Sequence, residues 1–165
     1  MNVEFPKRKP TRLKNYDYSG DGAYFITICT HNRKKLFSNI VGQGLAPAEI
    51  QLSKFGEIAN TEILALENRY NNIKIDKYVI MPNHIHLIVS IFEKNGTNKT
   101  PLLGTVIAGF KRSVTLFAKS RGIDFMWQRS YYDHIIRNYK DGNNISEYIQ
   151  TNVMRWEQDR FYSNK

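Results

Sequence analysis

Along this chain the apolar residues alternate between two spacings, one suited to strands and one to helices. The run YFITICT, residues 24 to 30, is β-branched and aromatic and predicts a first strand. Glycines and a proline make VGQGLAPAEIQ, residues 41 to 51, a loop or a hairpin tip. From Ser53 onward Phe55, Ile58, Ala59, Ile63 and Leu66 recur at the spacing of a first helix. Two more strand runs follow, IKIDKYVIMP (73 to 82) and HIHLIVSIF (84 to 92), with Pro82-Asn83 as the bend between them. After a turn at EKNGTNK, Thr100 is placed as the cap of a second helix with Pro101 in its first turn, where a missing N–H costs nothing. Its apolar stripe is Leu103, Val106, Ile107, Phe110, Val114 and Phe117, with Lys111, Arg112 and Lys119 off the stripe. WQRSYYDHIIRN, residues 127 to 138, alternates as a fourth strand. Asn144, with Glu147 three residues on, forms a capping-box pattern for a third helix; its stripe is Ile145, Tyr148, Ile149, Asn152, Val153 and Trp156.

The order β-α-β-β-α-β-α describes an α+β chain. Its first six elements form the split βαβ pattern of a ferredoxin-like antiparallel sheet, with an added C-terminal helix that carries Tyr148. Two helices cover one face of such a sheet, and the other face is expected to be open. At 165 residues the chain is expected to be a single domain, residues 1–165, with 1–20 as a basic extended arm and 21–165 as the core.

Charge narrows the class of partner. Lys and Arg number 24 against 15 Asp and Glu, a net charge of +9, which favours a polyanion and above all a nucleic acid. Five basic residues fall between Lys7 and Lys14, and two prolines keep that segment extended. No apolar stretch reaches the ~18 residues of a membrane span, and the lone Cys29 excludes a disulfide within the chain. A cytoplasmic protein with no membrane partner is expected.

The chemistry concentrates in HIHLIVSIF. In a strand His84 and His86 share a face with Ile88 and Ser90, while Ile85, Leu87, Val89 and Ile91 take the core face. Two imidazoles about 7 Å apart along one strand can converge on a divalent metal. Tyr148 and Asn152 are stacked one helical turn apart. With that helix beside the open sheet face, Asn152 supplies an oxygen ligand and Tyr148 a nucleophile. Two imidazoles and an amide oxygen leave positions for phosphate oxygens, as Mg²⁺ or Mn²⁺ requires. Tyr131, Tyr132 and Tyr139 are rival nucleophiles; Tyr131 and Tyr132 sit in a predicted strand, and neither has an amide partner at helical spacing. A histidine pair on an open face should be replaceable at little cost in stability. Small-phosphate hydrolases built on alternating strand histidines need a third one at position 88, where this chain has Ile88. A non-catalytic nucleic-acid-binding module is the remaining alternative.

The segments VIMPNHIHLIV, LLGTVIAGFKRSVT, WQRSYYDHIIRN and ISEYIQTN, in this order, resemble the REP-associated tyrosine transposases, a branch of the single-tyrosine HUH transposases and endonucleases. The resemblance runs from TRLKNYDYSGDGAYFITICT through Arg155-Trp156. The family's histidine–hydrophobic–histidine motif falls on His84-Ile85-His86, and its tyrosine–amide motif on Tyr148 and Asn152. A proline often follows that amide in the family; here Val153 does. The resemblance implies a single HUH transposase-like domain that cuts and rejoins single-stranded DNA, with Tyr148 forming a 5′-phosphotyrosine link and His84, His86 and Asn152 holding Mg²⁺ or Mn²⁺. It further implies hairpin-forming palindromic repeats as target. The basic residues Lys7, Arg8, Lys9, Arg12, Lys111, Arg112 and Arg129 are then expected to contact the DNA. Whether the protein acts as a monomer or a homodimer is left open.

Overall fold

The structure, a computed structural model, describes residues 21–42, 48–92 and 102–162. The predicted arm with Lys7, Arg8, Lys9 and Arg12, the EKNGTNK turn, and the Thr100-Pro101 start of the second helix lie outside these residues.

Four antiparallel strands form the main sheet: β1 (Gly22–Cys29), β4 (Ile73–Ile80), β5 (His84–Ile91) and β6 (Tyr132–Ile136). Their order is β4-β5-β1-β6, which places the two most apolar strands at the centre and the first and last strands of the split βαβ pattern side by side. A register shift between Ile75 and Lys77 bulges the β4 edge. The helices α1 (Lys54–Arg69) and α2 (Leu103–Ser120) cover one face. Phe55, Ala59, Ile63 and Leu66 of α1 and Val106, Ile107, Phe110 and Val114 of α2 meet Tyr24, Ile26, Ile28, Ile85, Leu87, Val89 and Ile91 there. The helix residues and Ile85, Leu87, Val89 and Ile91 are those that the periodicity assigned to the core; Tyr24, Ile26 and Ile28 of β1 join them.

Ser53 starts α1 as the sequence implies: its hydroxyl accepts from Gly56 N–H at 3.0 Å and donates to the Leu36 carbonyl at 2.6 Å. Gly56 is needed for a different reason. A Cβ at that position would lie 1.9 Å from the Phe37 carbonyl oxygen, so only glycine lets the chain before α1 come this close.

Several expectations require correction. The segment read as a loop or hairpin tip does belong to a small separate hairpin, β2 (Ser38–Val41) paired with β3 (Glu49–Leu52), but its ends, Val41 and Glu49 to Gln51, are in the strands. The strand expected from 127 to 138 is shorter, because Ser130 takes a left-handed φ of 68° and breaks the extension; Trp127 keeps only an isolated bridge to Thr30. The third helix, α3 (Tyr139–Thr151), begins before the Asn144 capping box. Asn138 is its cap, accepting from Asp141 N–H at 2.9 Å, so Asn144 is interior. At the start of α2 the cap position is Leu102 rather than Thr100.

The second sheet face is not open. It carries Phe25, Val79, Met81 and Ile88, an apolar set that needs cover, and Ile149 of α3 and Trp156 beyond it provide that cover. After α3 the chain turns at Asn152, passes through a single 3₁₀ turn (Trp156–Gln158) and folds back over the histidines.

Candidate metal and nucleophile site

His84 and His86 lie on the α3 side of β5, where cross-strand pairing sets their neighbours. Val79, His86, Thr27 and Tyr132 stand in one row across the four strands, and Cys29 is opposite His84. Both imidazoles are fully buried, at 0 % exposure. Phe161 covers His84 with ring centroids 4.6 Å apart, and Phe25 and Tyr148 each lie 5.2 Å from the His86 ring. The expectation that these histidines can be exchanged at little cost therefore fails: removing either ring leaves a hole in packed structure.

The ring nitrogens are individually held. Asn83 Oδ1 can only accept, so His84 Nδ1 donates to it at 2.9 Å and His84 Nε2 carries the lone pair. Asn83 is itself fixed, its Nδ2 donating to the Phe161 carbonyl at 2.8 Å. His86 Nδ1 lies 2.9 Å from Thr27 Oγ1, a hydroxyl that can donate or accept. The two Nε2 atoms are 3.0 Å apart. So short a contact needs either a proton on His86 Nε2 or a cation shared by two lone pairs. Burial, reinforced by Arg33 and Arg160, pushes the His84 pKa down to about 3. Burial and His84 push His86 well below the ordinary histidine value. Both are neutral at pH 7, the form that binds metals.

Tyr148 reaches this pair from the last turn of α3. Its hydroxyl is 3.3 Å from His86 Nε2 and 3.3 Å from Asp159 Oδ2. The side chain is partly exposed at 37 %, and burial with the neighbouring Asp159 charge raises its pKa to about 12. Asn152 is one turn on and buried; its Nδ2 donates to Asp159 Oδ2 at 2.7 Å, while its Oδ1 is buried without a partner. Asp159 Oδ1 accepts from Phe161 N–H at 2.6 Å, so the carboxylate is oriented from both sides. His84, His86 and Asp159 offer ligand atoms all within 4.8 Å of one another. Two neutral imidazole nitrogens, an anionic oxygen and an orphaned amide oxygen suit a divalent cation.

A cleft of about 320 Å³ opens on the outer side of Tyr148, lined by Asn152, Arg155, Asp159 and Arg160 among others. A second cavity, about 330 Å³, adjoins Thr27 on the β1–β6 side.

Of the residues singled out from the sequence, the structure gathers His84, His86, Tyr148 and Asn152 and leaves others apart. Tyr131 is partly buried against the main core, Tyr132 lies on the site face, and Tyr139 is exposed at the start of α3. Lys111 is turned to the protein: its ammonium donates to the Gln128 and Ser130 carbonyls, each at 3.0 Å. Arg112 and Arg129 are exposed. Asp159 was missed. It sits in irregular chain seven residues past Asn152, where no period marks it. Thr27 was legible in principle, as the polar residue between Phe25 and Cys29 on one face of β1.

The fold is that of the REP-associated tyrosine transposases. The structure of one such protein bound to a REP hairpin matches with a TM-score of 0.61 at 19% identity, over 89% of this chain and 74% of that one. In sequence, the chain is 36% identical over 180 residues to an uncharacterized protein of Haemophilus influenzae (strain ATCC 51907 / DSM 11121 / KW20 / Rd), covering 98% of this chain and 96% of that protein. The chain belongs to one family with that Haemophilus protein. No protein-family model matches it.

Proposed function

We propose that this protein is a single-tyrosine HUH-type enzyme that cleaves and rejoins single-stranded DNA, at hairpin-forming repeats. The observation that carries the reading is the Tyr148 hydroxyl, 3.3 Å from both His86 Nε2 and Asp159, inside a cluster of three candidate metal ligands. The shared fold with a transposase bound to a REP hairpin supports DNA as partner, and the net charge of +9 agrees.

In this reading His84, His86 and Asp159, with the free Oδ1 of Asn152, hold Mg²⁺ or Mn²⁺, which when bound supplies charge neutralisation at the scissile phosphate. Tyr148 attacks the phosphorus and its proton passes to Asp159. A bond forms between the Tyr148 oxygen and the 5′-phosphate, the bond from phosphorus to the 3′-oxygen breaks, and that oxygen leaves as a 3′-hydroxyl after taking up a proton. Attack by another 3′-hydroxyl reverses these steps, so rejoining needs no external energy source. Asn152 holds Asp159 in place, Asn83 fixes the His84 tautomer, and the packed rings of Phe25 and Phe161 keep water from the histidines. We read residues 21–165 as one catalytic unit and 1–20 as a DNA-contacting arm.

Covalent trapping tests the proposal. Incubation with single-stranded hairpin DNA and Mg²⁺ or Mn²⁺ should give a protein–DNA adduct on a denaturing gel. Tyr148→Phe removes only the hydroxyl and should abolish the adduct while DNA binding persists. An undiminished adduct from Tyr148→Phe would move the nucleophile elsewhere.

A further inference from the structure

We infer that the cavity adjoining Thr27 is the seat of one unpaired nucleotide of the DNA strand, with its base on the Tyr132 ring and its phosphate among Arg33, Arg129 and Arg160. This rests on the reading of single-stranded DNA as substrate, which it extends to a particular subsite.

Position comes first. The cavity begins at Thr27, the residue that touches His86 Nδ1, and runs outward to Tyr132, its neighbour in the same cross-strand row. It is thus continuous with the candidate site, one strand further from the nucleophile. Arg160 lines both this cavity and the cleft outside Tyr148, so a strand lying across the two passes one guanidinium throughout.

The lining chemistry selects a nucleotide. The described residues around the cavity include three arginines and no carboxylate. Arg33 Nη1 is buried without a hydrogen-bond partner, while its guanidinium lies 4.3 Å over the Phe161 ring. A buried charged donor left unpaired is costly, and a phosphate oxygen satisfies it. Tyr132 is 47 % exposed on the edge strand β6, with the Arg160 guanidinium 5.5 Å from its ring. An exposed ring flanked by cations is how single-stranded nucleic acid is held without base pairing.

Backbone strain points to the same place. Among the described residues, the non-glycine positions with positive φ are Asn32 (53°), Arg33 (57°) and Ser130 (68°). All three fall in the two loops that flank this cavity. Lys111 holds one of them, through its bonds to the Gln128 and Ser130 carbonyls. Strained conformations persist where surrounding structure enforces them, and they gather at binding sites.

The test uses the intact protein and fluorescein-labelled single-stranded oligodeoxynucleotides of mixed sequence, read by anisotropy across a salt series. Tyr132→Ala should weaken binding on the order of tenfold, and Tyr132→Phe should restore it, since only the ring is required. Arg33→Gln should weaken binding and flatten the log–log salt slope by about one, as expected when one phosphate is no longer neutralised. Arg129→Gln, at an exposed position, repeats that measurement without disturbing buried structure. Wild-type affinity and salt slope in Tyr132→Ala, Arg33→Gln and Arg129→Gln, with the Tyr148 adduct still formed, overturn the subsite and leave the cleavage reading standing. Losses as expected, in a wild-type protein that forms no adduct, sink the cleavage reading and keep the subsite. Loss of the adduct in Tyr132→Phe with binding intact makes Tyr132 the nucleophile and overturns both.

Discussion

Acid should destabilise this protein through its two site histidines, and the size of the effect can be worked out. His84 has a folded pKa of about 3, against about 6.5 in an unfolded chain. A folded pKa below the unfolded one means that the unfolded state takes up the proton first as pH falls. The contribution is therefore fully present above pH 6.5, shrinks steadily below it, and is exhausted only near pH 3. At pH 4.5, two units below 6.5, at about 1.4 kcal/mol per unit, His84 alone removes roughly 3 kcal/mol. His86 is shifted the same way and adds to the loss. Against a total of about 5–15 kcal/mol for a typical domain, that is a large fraction. The measurement is urea unfolding at pH 7 and at pH 4.5, for the wild type and for His84→Gln/His86→Gln. The double variant starts weaker at pH 7 because it loses packed rings, and it should lose much less on acidification. Ordinary carboxylates begin to titrate only at the lower end of this window, and those remote from the histidines contribute equally to both proteins. Parallel pH dependence in the two would refute the claim that buried neutral imidazoles control acid stability. Adding Mn²⁺ at pH 7 should raise the wild-type midpoint and leave the double variant unchanged.

Other tests address separate parts of the structure. Asp159→Asn removes the charge and hydrogen bond that help hold Tyr148 near pKa 12, so its phenol should titrate closer to 10 in ultraviolet difference titration, with Tyr148→Phe in the same background as blank. Gly56→Ala should cost about 1–3 kcal/mol in urea unfolding despite the better helix propensity of alanine, because its Cβ meets the Phe37 carbonyl. Deleting residues 1–14 should weaken hairpin binding and reduce the salt slope by about one for each phosphate that the arm neutralises, with metal-dependent stabilisation unchanged.

Much of this architecture can be read from periodicity, because burial on one side of a strand or helix leaves a repeating trace. The alternation in HIHLIVSIF put Ile85, Leu87, Val89 and Ile91 in the core and both histidines on the other face, as the structure has them. Tyr148 and Asn152 came from helical spacing together with the family resemblance. Asp159 left no such trace, because it lies where the chain folds back, and its role follows from contacts with residues distant in sequence. The covered second face was misjudged for a related reason. Phe25, Val79 and Ile88 are apolar positions on three strands, with Met81 just past the end of β4, and their need for a lid is visible only once the strands are ordered. The early start of α3 was hidden by Tyr139 and Lys140, exposed residues that no apolar stripe includes.

Asn83 ties two of these parts to one amide group. Its oxygen receives the proton of His84 Nδ1, and its nitrogen donates to the carbonyl of Phe161 in the segment that closes over the histidines. Displacing that segment frees the Asn83 amide to rotate and loosens the orientation of His84. Linkage is reciprocal, so whatever fixes His84 must in turn steady the segment that bears Phe161. If the proposed function holds, hold on a cation and access for a DNA strand are one equilibrium seen from two ends. Amide exchange at Phe161 should slow when Mn²⁺ is added, and Asn83→Ala should uncouple the two.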